Sequence, residues 1–418
     1  MRGLGCETMK ILIVTSFFPL SNKDKIPQFL LEQVKAFALH KPNSEIVVLT
    51  SSRSGEKDKV IADNVMVKRF SYFWPMRKQN LTNMGILPAL KKSKWNLLQL
   101  PLLFLFEFIA ISKEIKRVRP DFIYSHWFLP QGLLCYLLAK RYQIPHVFTS
   151  HSYDVEICKR IPILGPKIVR SAVFSMKAIT VVSQRTLEGI ASFFSESEWL
   201  VLSKKFKVIP MGINIPSQKS EGSIQKLKQS LGFENKKVIF FMGRFVPKKG
   251  INVLLESMVP LIKVDPSIML VLAGDGTLKK DIESNVVKLG LSEHVMFTGF
   301  ITSQEKENFL RVTDLFVLPS INALDGDREG LPVSLLESLS YGKLCVATNE
   351  SGAEEILDSG ENGFICKAND SDKLLNTMMQ ALSLNDTERN RIQHNAFKKA
   401  CEYSWPTLIK YQTKHFFR

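Results

Sequence analysis

Short apolar runs rich in β-branched residues alternate with longer stretches of helical period along most of the chain. In the first half, the runs at 11–15, 46–50, 65–70, 122–125, 146–149 and 179–182 read as strands, with amphipathic helices at 29–38 and 133–140 between them. In the second half, strands are expected at 238–242, 268–273, 295–298, 315–318 and 344–347. Apolar strands separated by helices form parallel sheets covered on both faces, so the expected class is α/β, doubly wound. The pattern breaks once. VIPMGIN at 208–214 ends a strand in a turn, and PSQKSEGS at 216–223 is polar without hydrophobic period. The division is placed there, giving domains 1–215 and 216–402, with Trp405-Pro406 opening a helical tail at 403–418.

Length and composition agree with this division. The chain has 418 residues, 45% hydrophobic and 23% charged, which suits two packed cores and excludes wholesale disorder. A formal charge of +16 points to a polyanionic partner: nucleic acid, an anionic membrane surface or phosphorylated substrates. No zinc finger, basic region leading into heptads or aromatic–basic stripe is present, which argues against nucleic acid. Six scattered cysteines form no CxxC pair, as expected of a reduced, cytosolic protein. No signal peptide is evident, and MKILIVTSFFP from Met9 reads as a natural beginning, with 1–8 a mis-called start or a loose extension. The run NLLQLPLLFLFEFIAI at 96–111 is too short to span a bilayer and contains Pro101 and Glu107. It reads either as a buried helix of the first domain or as a helix bedded in an anionic bilayer surface. Lys91, Lys92, Lys94, Lys113, Lys116, Arg117 and Arg119 would assist the second.

Doubly wound domains bring ligand sites to the carboxyl ends of their strands, and two facing domains place them in the cleft between. DREGLPVSLLE at 327–337 follows one strand. Pro332 is expected as the first helical residue, which leaves Gly330 and Leu331 as backbone donors at a helix N-terminus suited to a diphosphate. Glu329 and Glu337 flank that anion site, and carboxylates accept strong hydrogen bonds from hydroxyls. A nucleotide diphosphate-sugar has hydroxyls on both sides of its phosphates. Either glutamate alone is also an ordinary helix-terminal or exposed helical residue. GRFVPKKG at 243–250 supplies Arg244 and Lys249, suited to a leaving diphosphate or, alone, a solvated basic loop. His151 follows the strand HVFTS, and Asp154 and His126 are candidates on the acceptor side.

GRFVPKKG, LAGDG, FTGFI, LFVLPS, EGLPVSLLE and GAEEILDSGENGF, in this order, resemble glycosyltransferase family 4, of the GT-B fold. MKILIVTSFFP, FTSHSYD and VIPMGIN carry the resemblance into the first half. It implies two facing Rossmann-like domains with an interdomain cleft: an acceptor-binding N-terminal one, a nucleotide-sugar-binding C-terminal one, and a C-terminal helix returning to the first. It implies sugar transfer from a nucleotide-sugar with retention and without a metal or other cofactor, by same-face attack with the departing phosphate helping to accept the proton. By resemblance, Glu329 contacts the donor sugar, Glu337 the ribose, Arg244 and Lys249 the phosphates, Gly330 and Leu331 the diphosphate through backbone, and His151 the donor from the first domain. The loop PLSNKDKIPQF at 19–29 departs from the family in lacking glycine. Asp325 and Asp327 mimic a metal-binding DxD pair, but Arg244 and Lys249 already supply positive charge, so loop or acceptor contacts are expected of them.

The expected activity is a metal-independent, hexosyltransferase-type transfer to a lipid-linked or growing glycan acceptor. The expected place is cytoplasmic, peripheral to the inner face of the plasma membrane, in cell-surface polysaccharide assembly. A non-hydrolysing nucleotide-sugar epimerase and a non-catalytic sugar- or membrane-binding scaffold remain alternatives. The paired glutamates with Arg244 and Lys249 favour transfer, and the intact set with His151 argues against decay.

Overall fold

The computed structural model describes residues 8–19, 28–53, 56–79, 81–82, 86, 89–90, 93–217, 221–323 and 329–417. The chain divides into two compact units, Met1–Pro210 with Leu408–Arg418, and Met211–Thr407. The division falls earlier than the expected 215. Ile213 donates its amide to the Tyr403 carbonyl (3.0 Å) and accepts from the Trp405 amide (3.1 Å), which ties that segment to the second unit.

Among the described residues the first unit is built on eight strands: β1 (Met9–Val14), β2 (Ser44–Ser51), β3 (Lys59–Ala62), β4 (Val65–Phe70), β5 (Phe122–His126), β6 (His146–Ser150), β7 (Ala178–Val181) and β8 (Phe206–Val208). Their order is β3-β4-β2-β1-β5-β6-β7-β8. Every pair is parallel except β3 with β4. Its helices include α1 (Phe29–His40), α2 (Gln99–Val118), α3 (Leu133–Tyr142), α4 (Tyr153–Arg160), α5 (Leu164–Ser175), α6 (Gln184–Ala191) and α7 (Glu196–Leu202).

In a parallel sheet, register partners share a face, and side chains alternate along each strand. Leu12 pairs with Ile123, Ser125 with Phe148, and Phe148 with Ile179, so these belong to one face. Ile111 and Ile115 of α2 and Leu134 and Leu138 of α3 pack there. Val169 and Val173 of α5 follow on the same face. The opposite face carries Tyr124, whose hydroxyl accepts from Gln33 of α1 (3.1 Å) and from Gln412 (2.9 Å).

Among the described residues the second unit has six strands: β9 (Lys237–Met242), β10 (Ile268–Ala273), β11 (Val295–Gly299), β12 (Leu315–Leu318), β13 (Leu344–Thr348) and β14 (Phe364–Cys366). They are all parallel, in the order β11-β10-β9-β12-β13-β14. Helices α8 (Glu221–Ser230), α9 (Ile251–Val264), α10 (Lys279–Lys288), α11 (Ser303–Val312), α12 (Val333–Ser340), α13 (Ser371–Leu382) and α14 (Asp386–Glu402) accompany them. The last helix, α15 (Trp405–Phe416), begins in the second unit and continues into the first. Two parallel-dominated α/β sheets of this kind constitute the two-domain GT-B architecture. The run at 96–111 falls mostly on α2, whose Ile111, Ile115 and Val118 pack on the sheet, while Leu103 packs with Tyr72, Leu81 and Ala89 and Glu107 is buried beside Gln131.

Candidate functional site

In the second sheet β9 has β10 on one side and β12 on the other, and each flank then runs outward in chain order. The point between β9 and β12 is a topological switch, where the loops leaving the carboxyl ends diverge and open a crevice. The loops at that point are 243–250 after β9 and 319–331 after β12, of which 324–328, including Asp325 and Asp327, lie outside the described residues.

The two loops are pressed together. Gly250 adopts φ 61°, and a Cβ there would lie 2.0 Å from the Pro319 carbonyl oxygen. Only glycine meets both demands. The Ile321 amide donates to the Lys248 carbonyl (2.8 Å). The nearly buried Lys249 then donates its ammonium to Glu329 Oε2 at 3.0 Å, and Lys248 stands 3.6 Å from Oε1. Burial works to raise the Glu329 carboxyl, but the charges of Lys249, Lys248 and Arg244 outweigh it and hold the group below its ordinary value. The Arg244 side chain is exposed. The Phe245 amide donates to the Asp275 carbonyl (3.0 Å), which fastens the GDG turn after β10 to the same loop.

Helix α12 begins one residue later than expected. Pro332 is its N-cap, with extended backbone (φ −82°, ψ 108°), and not its first helical residue. Gly330 and Leu331 therefore precede the cap. The donors left free by helix geometry belong to Val333 and Ser334, because Leu335 already donates to the Pro332 carbonyl (3.1 Å). Gly330 is backed by Gly352 (φ 72°), whose Cβ would meet the Gly330 carbonyl oxygen at 2.2 Å. Glu337 sits on the helix and is ion-paired with Lys306 of α11. Lys248 was legible as the neighbour of Lys249 in the PKKG run. Lys306 carried no signal, since its partner is thirty-one positions away on another helix.

The first sheet has the same kind of switch between β1 and β5. The loop after β1 sends Ser16 to donate to Gln131 Oε1 (2.9 Å), and Gln131 Nε2 donates to the buried Glu107 (2.9 Å). Phe17 lies 5.3 Å from the Trp127 ring, and Trp127 stacks on His151 at 4.7 Å and 28°. Phe29 closes on His151 from another side at 5.4 Å. Residues 20–27 of the glycine-free loop lie outside the described residues.

His126 ends β5 fully buried, and its Nδ1 meets His151 Nε2 at 2.9 Å. One ring donates and the other accepts, so the two tautomers are linked. Burial pushes the His151 imidazole down to about 3, and burial with the neighbouring His151 pushes His126 well down too. Both rings are neutral near neutral pH. His126, an expected acceptor contact, is thus enclosed beneath His151. Asp154 also turns inward: it is 2% exposed. Its Oδ1 accepts from Ser150 Oγ and the His151 amide (both 3.0 Å), and its Oδ2 accepts from the Phe128 amide (3.2 Å). Burial raises that carboxyl to about 6. Asp154 orders the backbone around His151. Between them Ser152 adopts φ 70° in a γ-turn closed by the Tyr153 amide on the His151 carbonyl (2.9 Å), a strained conformation for a non-glycine residue.

Two family profiles match the two halves of the chain in turn, the first ending at 215 and so a few residues beyond the division of the compact units. Glycosyltransferase Family 4 matches residues 36–215, and Glycosyl transferases group 1 matches residues 223–399. The putative glycosyltransferase EpsD of Bacillus subtilis is 30% identical over 63% of this chain and 68% of its own. The UDP-Gal:alpha-D-GlcNAc-diphosphoundecaprenol alpha-1,3-galactosyltransferase of Escherichia coli is 25% identical over 65% of this chain and 69% of its own. Further relatives are named for colanic acid and teichuronic acid biosynthesis. Among solved structures, Anabaena HepE in complex with UDP superposes with a TM-score of 0.70 at 20% identity, over 97% of this chain and 99% of that one, a likeness of fold. With both halves matched in order, and with relatives that are glycosyltransferases of polysaccharide biosynthesis, the chain belongs to the family 4 glycosyltransferases of GT-B fold.

Proposed function

We propose that the chain transfers a glycosyl residue, with retention, from a nucleotide diphosphate-sugar to a lipid-linked or growing glycan in cell-surface polysaccharide assembly. The observation that carries this reading is the cluster of Lys248, Lys249 and Glu329 at the switch point of the second sheet, next to the N-terminus of α12. Cations and free amides converge where a diphosphate would lie, and a carboxylate held ionised stands among them for sugar hydroxyls. In the reaction the bond from the anomeric carbon to the diphosphate oxygen breaks, a bond to the acceptor oxygen forms on the same face, and the acceptor's proton passes to the departing diphosphate. Lys249, Lys248 and Arg244 offset the charge that gathers on the leaving group, a task that in other enzymes falls to a metal ion. Val333 and Ser334, with Gly330 and Leu331, offer backbone donors, and Glu337 stands ready for the ribose.

His151 acts as a neutral imidazole, holding a hydroxyl of the donor sugar or facing the charge that develops at the anomeric carbon. His126 and Asp154 position it. The setting in this reading is cytoplasmic, peripheral to the inner face of the plasma membrane. The test is thermal unfolding with UDP, GDP and ADP in turn, with EDTA present, beside Glu337→Ala. A ligand that binds only the folded state raises the midpoint. A rise with one nucleotide that shrinks in the variant is expected. No rise without magnesium and a full rise with it would sink the metal-independent reading, and turnover without acceptor would turn the assignment toward an epimerase.

A further inference from the structure

The three helices on one face of the first sheet share a feature on their outer surface. Helix α2 is buried along Leu103, Glu107, Ile111, Ile115 and Val118. The opposite stripe, one and two turns apart, presents Leu105 and Ile109, with Phe106 beside them, all exposed. The same stripe continues into the exposed Lys113 and Lys116. The segment Trp95–Val118 is long and apolar enough to cross a membrane by length and composition alone. Its sheet-facing stripe, which carries Glu107 and Glu114, keeps it lying along the surface.

Helices α3 and α5 repeat the arrangement. The exposed apolar residue on α3 is Leu137, followed by exposed Lys140 and Arg141. On α5 Leu164 and Phe174 are exposed, with Lys167 between them. Ser112 of α2 and Tyr142 of α3 are joined at 3.1 Å, which sets these two helices side by side. Neither α3 nor α5 contains an Asp or Glu, and both acidic residues of α2 are buried. Glu198 of α7 reaches this layer only to be held by Arg170 through both oxygens. Trp95, just before α2, is 77% exposed.

We propose that the outer surface of the α2–α3–α5 layer docks onto an anionic lipid leaflet, with Leu105, Phe106, Ile109, Leu137 and Phe174 entering the interface and the lysines and arginine meeting the headgroups. This rests on, and sharpens, the peripheral-membrane part of the proposed function. Apolar stems flanked by cations, without exposed carboxylates on the three helices, complement a negatively charged, partly apolar surface and not a protein face of mixed charge. Interfacial tryptophan fits the same depth. Three helices acting together give more buried area and more cations than α2 does by itself, so each contributes to one binding equilibrium.

The experiment is co-sedimentation of the full chain with phosphatidylglycerol–phosphatidylcholine vesicles and with phosphatidylcholine vesicles, beside sedimentation velocity without lipid. Two variants separate the contributions: Leu105→Ser/Phe106→Ser/Ile109→Ser, and Lys140→Glu/Arg141→Glu. The unaltered chain is expected to bind the anionic vesicles, with a blue shift of emission that Trp95→Phe diminishes. Both variants are expected to bind roughly tenfold or more weakly. Equal binding to both vesicle types, or variants that sediment like the parent, would overturn the proposal. So would a parent that dimerises through this face and ignores vesicles. The nucleotide-induced midpoint shift, measured on the same samples, shows that the variants are folded. It reports on the donor site alone, so its failure strikes that reading and vesicle failure strikes this one.

Discussion

The two sheets have the same topological switch and fill it with opposite chemistry. At the β9/β12 point the side chains are ionic: Lys248 and Lys249 converge on Glu329. At the β1/β5 side they are aromatic and uncharged: Trp127 and Phe29 enclose His151, which is bonded to His126. Burial acts in both places but with different outcomes. Near Glu329 three cations overcome desolvation and keep the carboxylate ionised. Near His151 desolvation lowers the imidazole and leaves it neutral. One topology thus yields a site for charge and a site for stacking and neutral hydrogen bonding, depending on whether counter-charges arrive with the buried group.

The sharpest way to break this contrast is a pair of variants. Lys249→Met should abolish the nucleotide-induced midpoint shift and lower turnover roughly 10²–10³-fold, as for loss of a group that stabilises developing charge. His151→Ala should lower turnover while leaving the nucleotide shift intact. If His151→Ala also removes the shift, the division of labour is wrong. Next in size, His126→Phe removes the partner of His151 Nε2 while keeping a ring in the cavity. It should reduce kcat roughly tenfold with little change in the KM for the donor. Restoration by His126→Asn, which can again hydrogen-bond, would sharpen the positioning role, and an unchanged kcat in His126→Phe would remove it.

A third test uses pH. Burial raises the Glu107 carboxyl to about 8 from an ordinary value of 4.5. The folded state therefore retains a proton that the unfolded chain releases, and stability from this group is present below about 4.5 and lost as pH rises through about 8. Glu107→Gln cannot ionise. Its stability should stay nearly level across that window while the parent's declines, by an amount on the order of 5 kcal/mol at about 1.4 kcal/mol per pH unit. A parallel decline in both would show that Glu107 is not the group responsible. The smallest expected effect concerns Lys306. A double-mutant cycle of Lys306→Met with Glu337→Ala should reveal a coupling of roughly 0.5–1 kcal/mol in nucleotide binding. Strict additivity would mean that Lys306 does not act through Glu337.

Strand positions were legible to within a residue or two, because the central strands are apolar on both faces and their runs are bounded by polar turns. β3 and β14 escaped notice since edge strands of four and three residues bury too little to leave a pattern. The Lys249 and Glu329 loops were each foreshadowed by a motif placed directly after a strand, but their pairing was not, since β9 and β12 are neighbours in the sheet and separated by β10 and β11 in the chain. The cap position of Pro332 was not, since proline suits both the cap and the first turn. Glu107 and Leu105 stand two apart on one apolar run, and only the sheet beneath α2 shows that the first is enclosed and the second exposed.

What the sequence determined by itself was the alternation that makes two doubly wound sheets, and the residue types that follow their strands, because hydrophobic period and turn chemistry are local properties. Which charges meet was decided by tertiary structure. Lys249 and Glu329 are eighty positions apart and come within 3.0 Å because their strands are neighbours across the switch. The same holds for protonation: His126 is an ordinary imidazole until the sheet encloses it, and His151 until Trp127 and Phe29 pack against its ring and cover part of it. Desolvation depends on the number of atoms around a group, and that number is set by the packing of distant segments.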